Sequence, residues 1–307
     1  MHRSLAATLL VFLLGSTAAA DPWLDGRVVD LAAGDSEAIA RIKLGNHCAR
    51  IESRVVSPPS HPSAELSERH LVCRDILINE APVESLVLTF GDNSLSMLFA
   101  EGGAADAFGD MFSEDPQTYL QFSASFQDML IIDRAADCAW LLTPGAAHPN
   151  LFMWANPYIE SSDRLEYQSS AARPDLLAFG EHLDSLQSEF EAQCDFTFLG
   201  QYNVWLLTEP DVQQQLDCFG FEYAGFPRKI EAVFGDGVLE QVWILTGKPE
   251  EDRVRQALIE AYGEPSFVDE NWEIFDDGLV MLRKDKPEVL MVSERLAPLY
   301  RAEYIDP

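Results

Sequence analysis

Residues 229–245 read KIEAVFGDGVLEQVWIL, two apolar-rich runs flanking Gly235-Asp236-Gly237. Glycine and aspartate accept the left-handed backbone of a tight turn, so the pattern predicts a β-hairpin. Residues 86–99, LVLTFGDNSLSMLF, repeat it around Gly91-Asp92-Asn93. Outward from the hairpins the echo continues. Cys48 and Cys73, 25 residues apart, return as Cys194 and Cys218, 24 apart. Ala107-Phe108-Gly109-Asp110 returns as Ala261-Tyr262-Gly263-Glu264, and Phe126–Leu130 as Phe275–Leu279. The offsets drift through 146, 145, 144, 154 and 149 residues, so the copies differ by insertions.

Each copy predicts the same order of elements. Leu176–Ala192 carries apolar residues at helical spacing, and its counterpart is Ser36–Asn46. Phe196–Leu207, rich in aromatic and β-branched residues, predicts a strand. Pro249–Tyr262 predicts a helix, with Pro249 and three acids in its first turn and Gly263 and Pro265 at its stop. Copy one has the shorter, glycine-flanked Ala104–Phe112 there. Each copy then closes with three strands, in copy one Tyr119–Ser123, Met129–Asp133 and Cys138–Leu142. The expected order is α-β-β-β-β-α-β-β-β. The fold class is α+β: two tandem homologous domains, each a twisted, mainly antiparallel sheet with helices packed on one face. Residues 21–156 form repeat domain 1, 157–174 a polar linker and 175–307 repeat domain 2.

The first twenty residues read as a signal peptide. Arg3 precedes the apolar run Leu5–Leu14, and Ala18-Ala19-Ala20 is a small-residue cleavage site. The run is half the length a membrane span needs. A periplasmic or extracellular protein, cut after Ala20 in a bacterial export pathway, is the expectation. Disulfides persist in such compartments. Four cysteines allow three connectivities, and spacing does not choose among them. A unit that duplicated folded alone first, which favours Cys48–Cys73 and Cys194–Cys218. Cys138 has no counterpart, since Glu288 takes its place, and its apolar neighbours predict a buried thiol.

The chain carries 21 Lys and Arg against 51 Asp and Glu, a formal net charge of −30. Such a surface repels phosphate, so nucleic acid and anionic membrane are poor partners, while a basic protein or peptide would be attracted. Solubility in a salty habitat is the plainer account of the same acidity.

Catalytic motifs are missing. There is no Gly-x-Ser-x-Gly elbow, zinc-binding His-Glu-x-x-His, phosphate-cradling glycine loop, EF-hand spacing or Cys-x-x-Cys. His61 and His70 are too loosely spaced for a metal site and read as surface or strand-end residues. Asp92, Asp128, Asp236 and Asp277 recur in both copies, and all sit in or beside turns, where aspartate bonds neighbouring amides. The acids Asp269, Glu270, Glu273, Asp276 and Asp277 lack the loop spacing of a calcium site. No catalytic residue, metal or cofactor is assigned.

One aromatic stretch stands out: Phe152, Met153, Trp154 and Tyr158 fall within seven residues where copy one meets the linker. Such residues are enriched in binding surfaces, but at this place packing of the two domains together is the favoured reading. Tyr202 and Trp205 precede the second cysteine of copy two, where copy one has Val55 and Val56, so they join the candidate interaction surface. Two Cys48/Cys73-type pairs in helix-then-strand units resemble, in architecture, the tandem-repeat secreted β-lactamase inhibitory proteins. That resemblance implies a binding protein without catalysis. The residues shared by the copies are structural, and a duplicated active site would show matched chemistry, so the expectation is an exported, non-enzymatic binding or interaction protein. The alternative is a secreted hydrolase with one site between the copies, built from unmatched residues such as His148 or His182.

Overall fold

The computed structural model describes residues 28–61, 63–119, 121–143, 170–201, 205–247 and 250–304. Copy one contains α1 (Glu37–Leu44), β1 (Cys48–Val56), β2 (Glu68–Ile78), β3 (Ala81–Gly91), β4 (Ser94–Glu101), α2 (Ala104–Phe108), β5 (Gln117–Tyr119), β6 (Phe122–Ser125), β7 (Leu130–Asp133) and β8 (Cys138–Leu142). Copy two contains α3 (Leu183–Gln193), β9 (Phe196–Gly200), β10 (Gln213–Tyr223), β11 (Phe226–Gly235), β12 (Val238–Leu245), α4 (Glu251–Tyr262), β13 (Phe267–Val268), β14 (Trp272–Phe275), β15 (Val280–Arg283), β16 (Glu288–Val292) and α5 (Ala297–Tyr304). The sheet orders are β1-β2-β3-β4-β8-β7-β6-β5 and β9-β10-β11-β12-β16-β15-β14-β13, antiparallel throughout. These are one topology used twice.

Each sheet has eight strands where the pattern predicts seven. The segment 119–123 is split by a turn into β5 and β6, and β13 has only two residues, too few to show alternation. The helix expected from Leu176 begins at Leu183, because Gly180 adopts φ +92° and breaks the turn; Leu176 and Leu177 are buried from a loop instead. The strand expected to reach Leu207 stops at Gly200.

The hairpins behave as their residues dictate. Asp92 and Asn93 have φ of 50° and 64°, and Asp236 and Gly237 have 51° and 80°. A β-bulge falls at Thr89/Phe90 and again at Val233/Phe234. Asp92 accepts the N–H groups of Glu65 (3.0 Å), Leu66 (2.7 Å) and Ser67 (2.8 Å), which hold its carboxyl below the usual range. Asp236 accepts from Val212 (2.9 Å) and Asp128 from Ser113 (3.0 Å). Asp92, Asp128 and Asp236 thus pin loops.

In copy two, α3 and α4 cover one sheet face through Leu186, Phe190, Val254 and Leu258, packed on Ile230, Ala232 and Val242. The C-terminal α5 brings Ala297 and Tyr300, with Leu296 just before it, against Val233, Met281 and Leu290 on the other face. Disulfides join Cys48 to Cys73 and Cys194 to Cys218, so each bridge closes within its own copy. Each should stabilise its unit by about 3 kcal/mol in the chain-entropy account. Cys138 is buried in β8. Among the described residues no helix is long and apolar enough to cross a membrane.

The copies meet through phenylalanines. Phe122 packs edge-on against Phe226 (centroids 4.7 Å apart), and Phe126 lies 6.0 Å from Phe219, which stacks on Phe196 at 4.3 Å. The Phe126 N–H donates to the Asp195 carboxylate at 2.8 Å.

Candidate functional site

Strand pairing gives a residue-by-residue match between the copies at their outer edges. Arg50, Glu52 and Arg54 of β1 face Arg74, Val72 and His70; Phe196, Phe198 and Gly200 of β9 face Phe219, Asp217 and Gln215. Each facing pair on β2 and β10 is 145 residues apart, so Arg50 corresponds to Phe196, Glu52 to Phe198 and Arg54 to Gly200.

The two edges carry opposite chemistry. On β1 the three side chains form an ion ladder, Glu52 lying 3.0 Å from Arg50 and 3.2 Å from Arg54. On β9 the same positions are apolar. Phe196 is held by Phe219, while Phe198, two residues along on the same face, is 62 % exposed. Its ring folds back along the strand over Gly200, where any β-carbon would stand 3.0 Å from the ring edge. Leu199 and Val212 are exposed as well.

Trp205, singled out from the sequence, is 56 % exposed at the end of this edge. The Leu206 N–H bonds the Gln213 side chain (2.7 Å), two residues along β10 from the partner of Gly200. Phe152, Met153, Trp154, Tyr158 and Tyr202 lie outside the described residues. The larger contrast lies at Phe198, which stands four residues past Cys194 as Glu52 stands four past Cys48; the sequence carries that match, and the pairing adds that both lie on edge strands.

The electrostatic setting is equally lopsided. From Asp175 to Pro227 there are ten acids and no Lys or Arg, whereas residues 30–81 of copy one hold six Lys and Arg. Eight of the ten acids are exposed. Behind β9 stands Lys229, which is buried between Asp217 (3.0 Å) and Glu231 (2.7 Å) with its ammonium over the Phe219 ring. It neutralises the sheet interior and does not reach the surface.

The remaining chemistry is buried. His61 and His70, read from sequence as surface or strand-end groups, are instead 3 % and 0 % exposed. Strand β2 turns His70 inward, where its ring contacts Glu68 (2.7 Å) and Thr89 (3.1 Å). Glu68 also accepts from the Ser60 and His61 amides (2.7 and 2.9 Å). The His61 Nδ1 meets Ser63 Oγ at 2.7 Å and its Nε2 has no partner. Burial pushes the His61 imidazole down to about 4, against the pull of the Glu68 charge. In copy two, Glu250 is clamped by Arg228 (Nη2–Oε2 2.9 Å) and Arg253. Burial alone would raise its carboxyl, but the two guanidinium charges hold it at about 2.

Among the described residues no group of three metal-ligating side chains converges. Glu273 of the acidic run is bound by Arg255 at 2.7 Å, and Asp269 accepts the amides of Asn271 and Trp272. His182 is an exposed helix-capping residue, and His148 lies outside the described residues. No family model, curated protein or solved structure matches the chain, so the architectural resemblance to β-lactamase inhibitory proteins has no match behind it.

Proposed function

We propose that the protein is an exported, non-enzymatic binding protein whose interaction surface lies on the outer edge of copy two. The observation that carries this reading is the exchange of the Arg50–Glu52–Arg54 ladder for Phe196, Phe198 and Gly200 at matched positions. A duplicated sheet needs only one copy to keep its structural role, which leaves the other free to acquire a surface. An exposed aromatic cluster on a soluble chain marks a contact site when a polar rim surrounds it, and acids supply that rim here. Export is supported by the N-terminal sequence, with cleavage after Ala20, and by the two disulfides, which suit a periplasmic or extracellular setting. The hydrolase alternative finds no supporting geometry among the described residues: Phe122, Phe126, Phe219, Phe226 and Asp195 meet between the copies.

The test is to recover tagged wild-type protein and its Phe198→Glu variant from the envelope and medium after crosslinking. A stoichiometric partner held by the wild type and lost from the variant is the expected result. Turnover of chromogenic ester, phosphate or glycoside substrates, abolished by a His→Ala change, would overturn the reading.

A further inference from the structure

The inference here rests on the binding reading above and specifies how the partner is held. The geometry points to strand addition: β9 receives an extended, basic segment of a partner protein along its open edge. Among the described residues β9 ends the sheet order, with β10 on its inner side, so alternate backbone N–H and C=O groups face outward. Native proteins guard such edges with charge, and β1 carries that guard in Arg50, Glu52 and Arg54. β9 carries none: residues 196–208 are uncharged in a chain of 51 acids.

A strand laid on this edge would gain main-chain hydrogen bonds, which supply affinity without reading sequence. Its side chains would alternate, every second one lying on the face of Phe198 and the others on the face of Leu199. Charge selects the occupant. Glu189 and Glu191 of α3 precede the strand, Glu209 and Asp211 follow it, and all four are exposed. Lysine or arginine flanking the apolar core of the segment would meet them, steering encounter and penalising acidic competitors. A second copy is a poor occupant, because β9 against β9 would bring together two stretches with ten acids each and no Lys or Arg.

The probe is a short peptide alternating lysine and valine, compared with the same peptide N-methylated at alternate central amides and with a glutamate-for-lysine analogue. Binding is followed by calorimetry and by amide exchange across residues 196–200. The expected result is slowed exchange in β9, about tenfold or greater weakening on N-methylation, since several hydrogen bonds are lost, and no binding of the glutamate peptide. Phe198→Glu and Leu199→Ser install the matching residues of copy one at exposed sites, and both should weaken binding. Equal affinity of the N-methylated peptide, or protection outside β9, would overturn strand addition in favour of diffuse charge attraction. Self-association abolished by Phe198→Glu, with no peptide bound, would make a second copy the occupant and overturn it too. A native partner captured equally by wild type and Phe198→Glu would leave the binding reading standing while removing the edge. With no partner captured and no peptide bound, both would fall.

Discussion

Glu52 and Phe198 occupy one position in two sheets of the same topology, facing Val72 and Asp217 across their respective edges. One is an ion-paired surface carboxylate, the other an exposed ring. The difference concerns what each edge meets in solution, because neither side chain is buried enough to hold its sheet together.

Glu52→Phe should therefore shift stability little. Exposed ion pairs are worth roughly 0.5 kcal/mol, and the Arg50–Glu52–Arg54 ladder is of that kind. Urea unfolding of Glu52→Phe and Phe198→Glu should give midpoints within about 1 kcal/mol of the wild type. A larger loss would show that the edges are structural and would remove the basis for treating their divergence as functional.

Gly220 should be far less tolerant. It has φ +86°, and a β-carbon there would stand 2.6 Å from the Asp195 carboxyl carbon. Gly220→Ala combines left-handed strain with a clash, costing about 2 kcal/mol or more. It also disturbs the carboxylate that accepts from Phe126, so the loss should reach the contact between copies, read as faster proteolysis between them. Wild-type resistance to proteolysis in this variant would contradict the account.

Asp195 itself gives a pH signature. Burial raises its carboxyl above the ordinary 3.8, against the Phe126 hydrogen bond, with the Asp128 charge adding to the rise. The folded state thus binds the proton more tightly than the unfolded chain. Its contribution favours folding below the shifted value and is lost as pH rises through it. Asp195→Asn should flatten that segment of the stability profile while keeping an acceptor for Phe126.

Two further windows separate by pH. His61, depressed to about 4 by burial, is held neutral in the fold while the unfolded imidazole titrates near 6.5. Stability should fall by about 3 kcal/mol as pH drops from 6.5 to 4, with buried His70 acting in the same direction. His61→Asn should remove much of this slope. A slope unchanged in the variant would assign it elsewhere.

Glu250 acts lower. Its carboxyl, held at about 2, contributes stability that is complete above 4.5 and lost as pH falls towards 2. Glu250→Gln removes the carboxylate that clamps the fully buried Arg228 guanidinium, and should cost about 3 to 5 kcal/mol at neutral pH. Its profile below pH 4.5 should be flatter than that of the wild type.

The repeat, the hairpins and the helix at 251–262 were legible in the chain because turn and helix-end residues act locally, and both disulfides because the duplication favours pairing within a copy. The extra strand in each sheet was not: β13 is two residues long, and Tyr119–Ser123 hides a turn inside apparent alternation. The buried histidines escaped notice because burial of His70 depends on Glu68 and Thr89, brought together only by strand pairing. Glu52 and Phe198 each stand four residues past the first cysteine of their copy, so their match was open to the sequence, whereas their place on edge strands emerges only from the pairing. Of the aromatic residues picked out as a surface, Trp205 is exposed, and the contact between copies uses Phe122, Phe126, Phe219 and Phe226.

Cys138 stands in the chain between the two bridged pairs. Thiols oxidised strictly in order of emergence would marry Cys138 to Cys194 and leave Cys218 stranded. With Cys138 shut inside β8, a first sheet completed ahead of the second would leave Cys194 only Cys218 to marry.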